Sequence, residues 1–242
     1  MFTTRSKGLQ LPPWLLRLAR LLVIVCLPFF FGFTMIGLVI NDSYPRYQYN
    51  NPNFPEDPFG FTREERLELA QVAVDYLRRP QRAEEVIYLL ENQRLPGTDR
   101  PLYNQREIDH MIDVKHLTDG IRRLNQWVTM GLMIGTILLY IGSGRRPTIF
   151  EAMMVGGIAT VALLLFIGLF MLVAWDFFFV QFHELLFPPD TWMFAQSDSL
   201  IRLFPEKFWF DLGLLITGGT LVMGLFTAAV GHLLRRGLEQ AA

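Results

Sequence analysis

Phe182-His183-Glu184-Leu185-Leu186-Phe187-Pro188-Pro189-Asp190-Thr191-Trp192 is a polar, aromatic, proline-stiffened segment caught between two long apolar runs. Ala159 to Ala174, ahead of it, holds no ionisable residue, and neither does Leu212 to Val230 behind it. About twenty apolar residues cross the hydrocarbon core of a bilayer as a helix. The segment between the two runs is therefore expected at a membrane surface, where water, headgroups and acyl chains meet. Chemistry on a lipid ester would take place at that level.

The remainder of the chain fits this setting. Of 242 residues 51% are hydrophobic, and they are gathered in runs instead of being spaced by period, which is a membrane composition. A formal net charge of −1 provides no single-sign field, so nucleic acid is not expected as a partner. One cysteine, Cys26, excludes an internal disulfide framework and a Cys-based zinc site. The bulky Val25 before it does not suit a lipoprotein signal.

Working outward, the apolar runs predict an all-α membrane protein with four transmembrane helices, at about 18–40, 122–142, 149–176 and 209–234. Residues 41–121 form a helical extracytoplasmic insertion between helices 1 and 2, and 177–208 a second outer segment, all within one membrane domain. Leu21 to Ile40 is charge-free and longer than the apolar core of a signal peptide, with no small-x-small cleavage site, so the first helix is expected to stay. Arg5, Lys7, Arg17 and Arg20 near the start, Arg145 and Arg146 in the 142–147 turn, and Arg235 and Arg236 near the end place these three regions in the cytoplasm. His110 and His183 then fall on the extracytoplasmic face of a multi-pass cell-membrane protein.

Within the outer region, Asn41 to Pro58 reads as a loop from its Asn, Pro, Tyr and Asp content. Thr62-Arg63-Glu64-Glu65 is a capping box opening a helix of about 62–79, and a shorter helix follows at about 81–92. Asn104-Gln105-Arg106-Glu107 is a second capping signal, opening a helix that carries His110, Asp113, Lys115 and His116. Thr118-Asp119-Gly120 is the expected break before the second membrane helix. Without it, His110 would stand ~21 Å beyond Leu124 at ~1.5 Å per residue, too far to meet His183. Either the helix bends at Gly120 and lies along the membrane surface or the outer loop folds back, and the expectation is the bend.

Imidazole titrates near neutral pH, which makes His110 and His183 the candidate acid–base pair. Asp113, one helical turn from His110, is placed to orient it. Glu184 adjoins His183, and Asp190 and Trp192 share its segment; with Lys115 they are the expected substrate-binding residues. The bland readings are an interfacial His bonded to a carbonyl, a helix cap with an interfacial Trp at 190–192, and a solvated lysine. No Gly-x-Ser-x-Gly motif is present, and Ser143 lies on the cytoplasmic side. A zinc site drawn from His110, Asp113, His183 and Glu184 lacks the zincin spacing, since residue 187 is Phe.

Glu107-Ile108-Asp109-His110-Met111-Ile112-Asp113-Val114-Lys115 before the second membrane helix, combined with Phe182 to Trp192 after the third, resembles a family of four-helix bacterial integral membrane proteins that includes the lipoprotein intramolecular transacylase Lit. The resemblance spans essentially the whole chain. It implies acyl transfer within a diacylglyceryl-modified bacterial lipoprotein, from the glyceryl oxygen to the amine of the N-terminal cysteine, giving the lyso form. Membrane lipid is the other partner, no cofactor is needed, and His110 and His183 correspond to the family's functional histidines. Two other classes remain open. One is a non-catalytic membrane protein binding lipid or a protein partner through its outer face. The other is a metal-dependent lipid hydrolase.

Overall fold

The computed structural model describes residues 11–142 and 147–240. Arg5, Lys7, Ser143, Arg145 and Arg146 lie outside the described residues. Ten helices are described: α1 (Pro13–Val39), α2 (Ser43–Asn50), α3 (Arg63–Arg78), α4 (Ala83–Val86), α5 (Tyr88–Glu91), α6 (Gln105–Gly142), α7 (Pro147–Val173), α8 (Trp175–Leu186), α9 (Ser199–Leu203) and α10 (Glu206–Gln240). No strand is present among the described residues, and one isolated bridge pairs Arg94 with Pro101. Four helices, α1, α6, α7 and α10, are long and apolar enough to span a bilayer. The molecule is thus an all-α, multi-pass membrane protein. In α6 the stretch 124–142 holds no Asp, Glu, Lys or Arg, whereas 105–123 carries many.

The chain forms two compact units. The first comprises residues up to 35, 123–169 and from 216 onward. Its core is Ala19, Val23, Leu27, Phe31, Leu139 and Ala152. Lipid tails give no hydrophobic drive to helix pairing, so close packing of small residues must supply it. A Cβ on Gly231 would stand 2.6 Å from Phe150 O and 2.7 Å from Met154 N, so α7 and α10 touch backbone to backbone there. One ion pair, Arg20 with Glu151 at 2.9 Å, joins α1 to α7.

The second unit comprises residues 36–122 and 170–215. Its core is aromatic, with Tyr44, Tyr49, Phe54, Tyr76, Tyr103, Phe204 and Phe208 all buried. Arg66, 2% exposed, lies over Tyr49 and Phe54 at 5.1 Å from each ring and donates to Pro55 O at 2.7 Å. Arg202 and Asp57 pair at 2.8 Å. The capping box at the start of α3 forms as the sequence predicts, with Thr62 accepting from Glu65 N.

Three local expectations are corrected. The 41–58 stretch is not all loop, because α2 occupies residues 43–50. Pro45 sits in its first turn, where a missing N–H costs nothing, and the tyrosines provide a face that buries Tyr44 and Tyr49. The helix expected at 81–92 is two short ones, α4 and α5. Most consequentially, α6 does not break at Gly120 but runs unbroken from 105 to 142. The two histidines meet by another route. The third long helix ends at Val173, Ala174 leaves helical geometry at φ −138°, ψ 52°, and α8 begins at once. Eight residues of helix carry His183 ~12 Å beyond Trp175.

Candidate functional site

His110 and His183 face one another inside the second unit. His110 is on α6, five residues past its start, and His183 is in the last turn of α8. Their ring centroids are 6.5 Å apart and nearly parallel, at 26°. The segment after α8, residues 187–198, returns over the pair. Phe187 stands 4.9 Å from the His110 ring and 5.5 Å from the His183 ring. Phe194 meets His110 edge-on at 5.3 Å, and Trp192 lies 4.8 Å from His183. Phe179, one turn earlier on α8, completes the enclosure at 4.1 Å from His183.

This enclosure determines protonation. An imidazolium loses hydration when buried, so burial favours the neutral ring. His110 is 8% exposed, and burial, with a smaller contribution from His183, lowers its pKa to about 4. Burial lowers His183 too, opposed by a hydrogen bond to the Phe179 carbonyl. That bond, 2.7 Å from Nδ1 to Phe179 O, fixes the tautomer: a carbonyl can only accept, so Nδ1 donates and Nε2 keeps its lone pair. The buried Nδ1 of His110 has no partner among the described residues. A buried polar atom without a partner costs ~1–3 kcal/mol, which a bound hydrogen-bonding group would recover.

Of the other sequence-expected residues, only Trp192 joins the pair. Asp113 makes no hydrogen bond to His110 among the described residues; burial raises its pKa, and its electrostatic neighbours are His116 and Asp109. Spacing of three residues put it on the adjacent face, but the His110 ring turns toward Phe187 and Phe194. Lys115 is fully buried, donating to Arg79 O at 2.8 Å and pairing with Asp119 at 3.1 Å. It therefore ties α6 to the end of α3. Glu184 is exposed and accepts from Gln181 at 2.7 Å. Asp190 is exposed at φ +64° in the turn after Pro188-Pro189. No three of the His, Cys, Asp and Glu side chains among the described residues converge as a metal-binding group, so the set drawn from His110, Asp113, His183 and Glu184 does not assemble.

Sequence reasoning missed Phe179, Phe187 and Phe194 as walls. Phenylalanine is too common in an apolar segment to single them out. It also took Glu107 only as a helix cap, whereas the structure buries it, 1% exposed, one turn before His110.

Comparisons with known proteins bear on the family and the fold. The family model for the lipoprotein intramolecular transacylase Lit matches residues 21–209. The in meso structure of the membrane integral lipoprotein intramolecular transacylase Lit from Bacillus cereus is similar at TM-score 0.76 and 21% identity, covering 96% of this chain and 100% of that one. A second structure of the Bacillus cereus protein, with a histidine replaced by arginine, gives a TM-score of 0.70 at 21% identity, covering 94% of this chain and 95% of that one. At such identity the likeness establishes the fold. An uncharacterized protein of Aquifex aeolicus (strain VF5) is 28% identical over 224 residues, 91% of this chain and 98% of that protein.

Proposed function

This chain belongs to the lipoprotein intramolecular transacylase family, and on that premise we propose that its His110–His183 pair moves an acyl chain within a diacylglyceryl-modified lipoprotein. The ester acyl group leaves a glyceryl oxygen and joins the α-amino nitrogen of the N-terminal cysteine. One C–N bond forms and one C–O bond breaks. The amine's proton ends on the glyceryl hydroxyl, so the reaction is an isomerisation that needs no co-reactant.

The observation that carries this reading is the enclosed pair of neutral imidazoles with one tautomer fixed. His183, with Nδ1 occupied by the Phe179 carbonyl, offers Nε2 as the base that takes the proton as the amine attacks. His110, with Nδ1 unpartnered, relays that proton from His183 to the departing alkoxide, one ring nitrogen accepting it as the other releases its own, so both imidazoles end neutral. The aromatic walls exclude water that would otherwise hydrolyse the ester. Holding amine and ester on one substrate contributes up to ~7–11 kcal/mol through effective molarity. Basic residues at Arg17, Arg20, Arg235 and Arg236 support cytoplasmic termini and an extracytoplasmic site.

Mass spectrometry of a lipoprotein's N-terminal peptide, from cells expressing either the unaltered chain or His183→Ala, tests the proposal. A lyso peptide with an N-acyl group, found only with the unaltered chain, is expected. Diacylglyceryl peptide in both strains, with folded protein verified in the membrane, overturns it for that lipoprotein.

A further inference from the structure

The 187–200 strap that walls the histidine pair carries little regular structure: its only helix, α9, is five residues long and begins at Ser199. Leu200 packs into the aromatic core with Phe194 against it. The first turn of α6 and the residues just before it add polar anchors. Ser199 Oγ donates to Leu102 O at 2.5 Å, Asn104 Nδ2 to Asp198 Oδ1 at 3.3 Å, and Arg106 to Met193 O. The Arg106 guanidinium also lies 5.7 Å from the Phe194 ring.

Glu107 is at the centre of this junction. Its Oε2 accepts from Asn104 N at 2.7 Å while Asn104 Oδ1 accepts from Glu107 N at 3.1 Å, a reciprocal helix cap. A cap needs only that one oxygen, and Gln serves there as well as Glu. The second oxygen, Oε1, accepts from Leu200 N at 2.7 Å, 93 residues away along the chain. Two N–H donors, Leu200's buried and Asn104's partly so, converge on one side chain, and only a carboxylate has two acceptor oxygens to meet them. The demand for Glu at this position therefore comes from the strap and not from the helix end. His110 follows one turn later on the same helix.

We propose that Glu107 is a positioning residue of the acyl-transfer site, holding the 187–200 strap on α6 so that Phe187, Phe194 and Trp192 fix the two imidazoles. The proposal rests on the transacylase reading for its kinetic consequence and on geometry alone for its structural one. Glu107 touches neither histidine. It acts through Leu200 and the chain that leads from it back to Phe194 and Trp192.

The test is Glu107→Gln in the full-length protein, followed by kinetics and by NMR of histidine rings labelled at Cε1. The chain has 4 His, so each resonance can be assigned by substitution. Loss of the strap anchor is expected to lower kcat at least tenfold with KM changed less than twofold. It is also expected to shift the His110 and His183 resonances, which feel the ring currents of the walls, and to leave those of His116 and His232 in place. If Glu107→Gln does not fold, Glu107→Asp replaces it: a carboxylate one methylene shorter keeps the helix-end acceptor, loses the span to Leu200 and predicts the same changes. Unmoved His110 and His183 resonances, or turnover within twofold of the unaltered protein, overturn the proposal. Product formation by the unaltered chain tests the transacylase reading separately, and the resonances are compared whether or not the protein turns over.

Discussion

Phe166, Leu225 and Ile137 are each more than half exposed in the unit made of residues up to 35, 123–169 and from 216 onward, whereas Tyr49, Phe54, Tyr76 and Tyr103 are almost fully buried in the unit of residues 36–122 and 170–215. In the first unit the helices carry their apolar side chains outward and meet through glycine and alanine. In the second the aromatic core turns inward and encloses polar groups such as Arg66, Lys115 and Glu107, while α8 keeps apolar side chains such as Phe177 and Leu185 exposed. Lipid removes the incentive to bury apolar surface and leaves packing as the source of cohesion. Water restores the incentive, and buried polar groups must then be bonded. The histidine pair belongs to the second unit, where His110 and Phe187 are buried and His183, Trp192 and Phe194 partly so.

The largest effect expected from breaking this contrast is at Gly231. Leucine there would drive its Cβ into Phe150 O and Met154 N, backbone atoms that cannot rotate aside. The cost is expected to exceed about 3 kcal/mol, the upper part of the usual range for overpacking. Purification of Gly231→Leu should yield little monodisperse protein in detergent, whereas Gly231→Ala should be milder but still destabilised. Normal yield and melting of the leucine variant would show that cohesion in this unit does not depend on the close approach.

That contrast also explains what could be read from sequence. Four spans were legible because a charge-free run of twenty residues has few alternatives to a membrane helix. The capping box at Thr62 was legible because its hydrogen bonds are local. His110 and His183 were legible as candidates from residue type, but the way they meet was not. The break at Ala174 and the new helix α8 involve no Pro or Gly signal, so the sequence places the end of the span near 176 but does not reveal a helix in the outer segment after it. Lys115 and Asp113 were placed by helical spacing alone. Helical spacing assigns a face, but the partner on that face, Arg79 O for Lys115, comes from a distant part of the chain.

A smaller effect, specific to the second unit, concerns pH. His110 titrates at about 4 in the folded protein and near 6.5 when exposed. Between those values the unfolded chain binds a proton that the folded chain does not, so stability rises with pH across the window. His110's contribution is complete above 6.5 and is lost as pH falls through about 4. Its size is at most about 3.5 kcal/mol, at ~1.4 kcal/mol per pH unit over the 2.5 units from 4 to 6.5. Denaturant unfolding of the detergent-solubilised protein at pH 7 and pH 5 should show this loss, and His110→Phe, which keeps an aromatic ring in the enclosure, should show less of it. Equal losses in both proteins would mean that His110 is not held neutral by burial. Catalysis should follow the same logic: the acid limb of kcat/KM is expected below 6.5, where the enclosed imidazoles finally protonate.

The smallest effect distinguishes two roles for Asp190. Its φ of +64° is a backbone conformation that Asp tolerates, Gly adopts freely and β-branched residues resist. Thr191 closes the turn onto Pro188 O, through Oγ at 2.9 Å. The turn lies between Phe187 and Trp192, so its conformation decides whether both rings reach the histidines. If Asp190 serves the backbone, Asp190→Gly should change stability by less than about 1 kcal/mol and keep turnover within twofold, while Asp190→Val should cost about 1–2 kcal/mol. If its carboxylate instead binds substrate, the order inverts in the kinetics: Gly and Val both raise KM, whatever their stability. Measuring KM and unfolding for the two variants side by side separates a residue that shapes the strap from one that touches the lipoprotein, and the exposed side chain with its left-handed backbone favours the first.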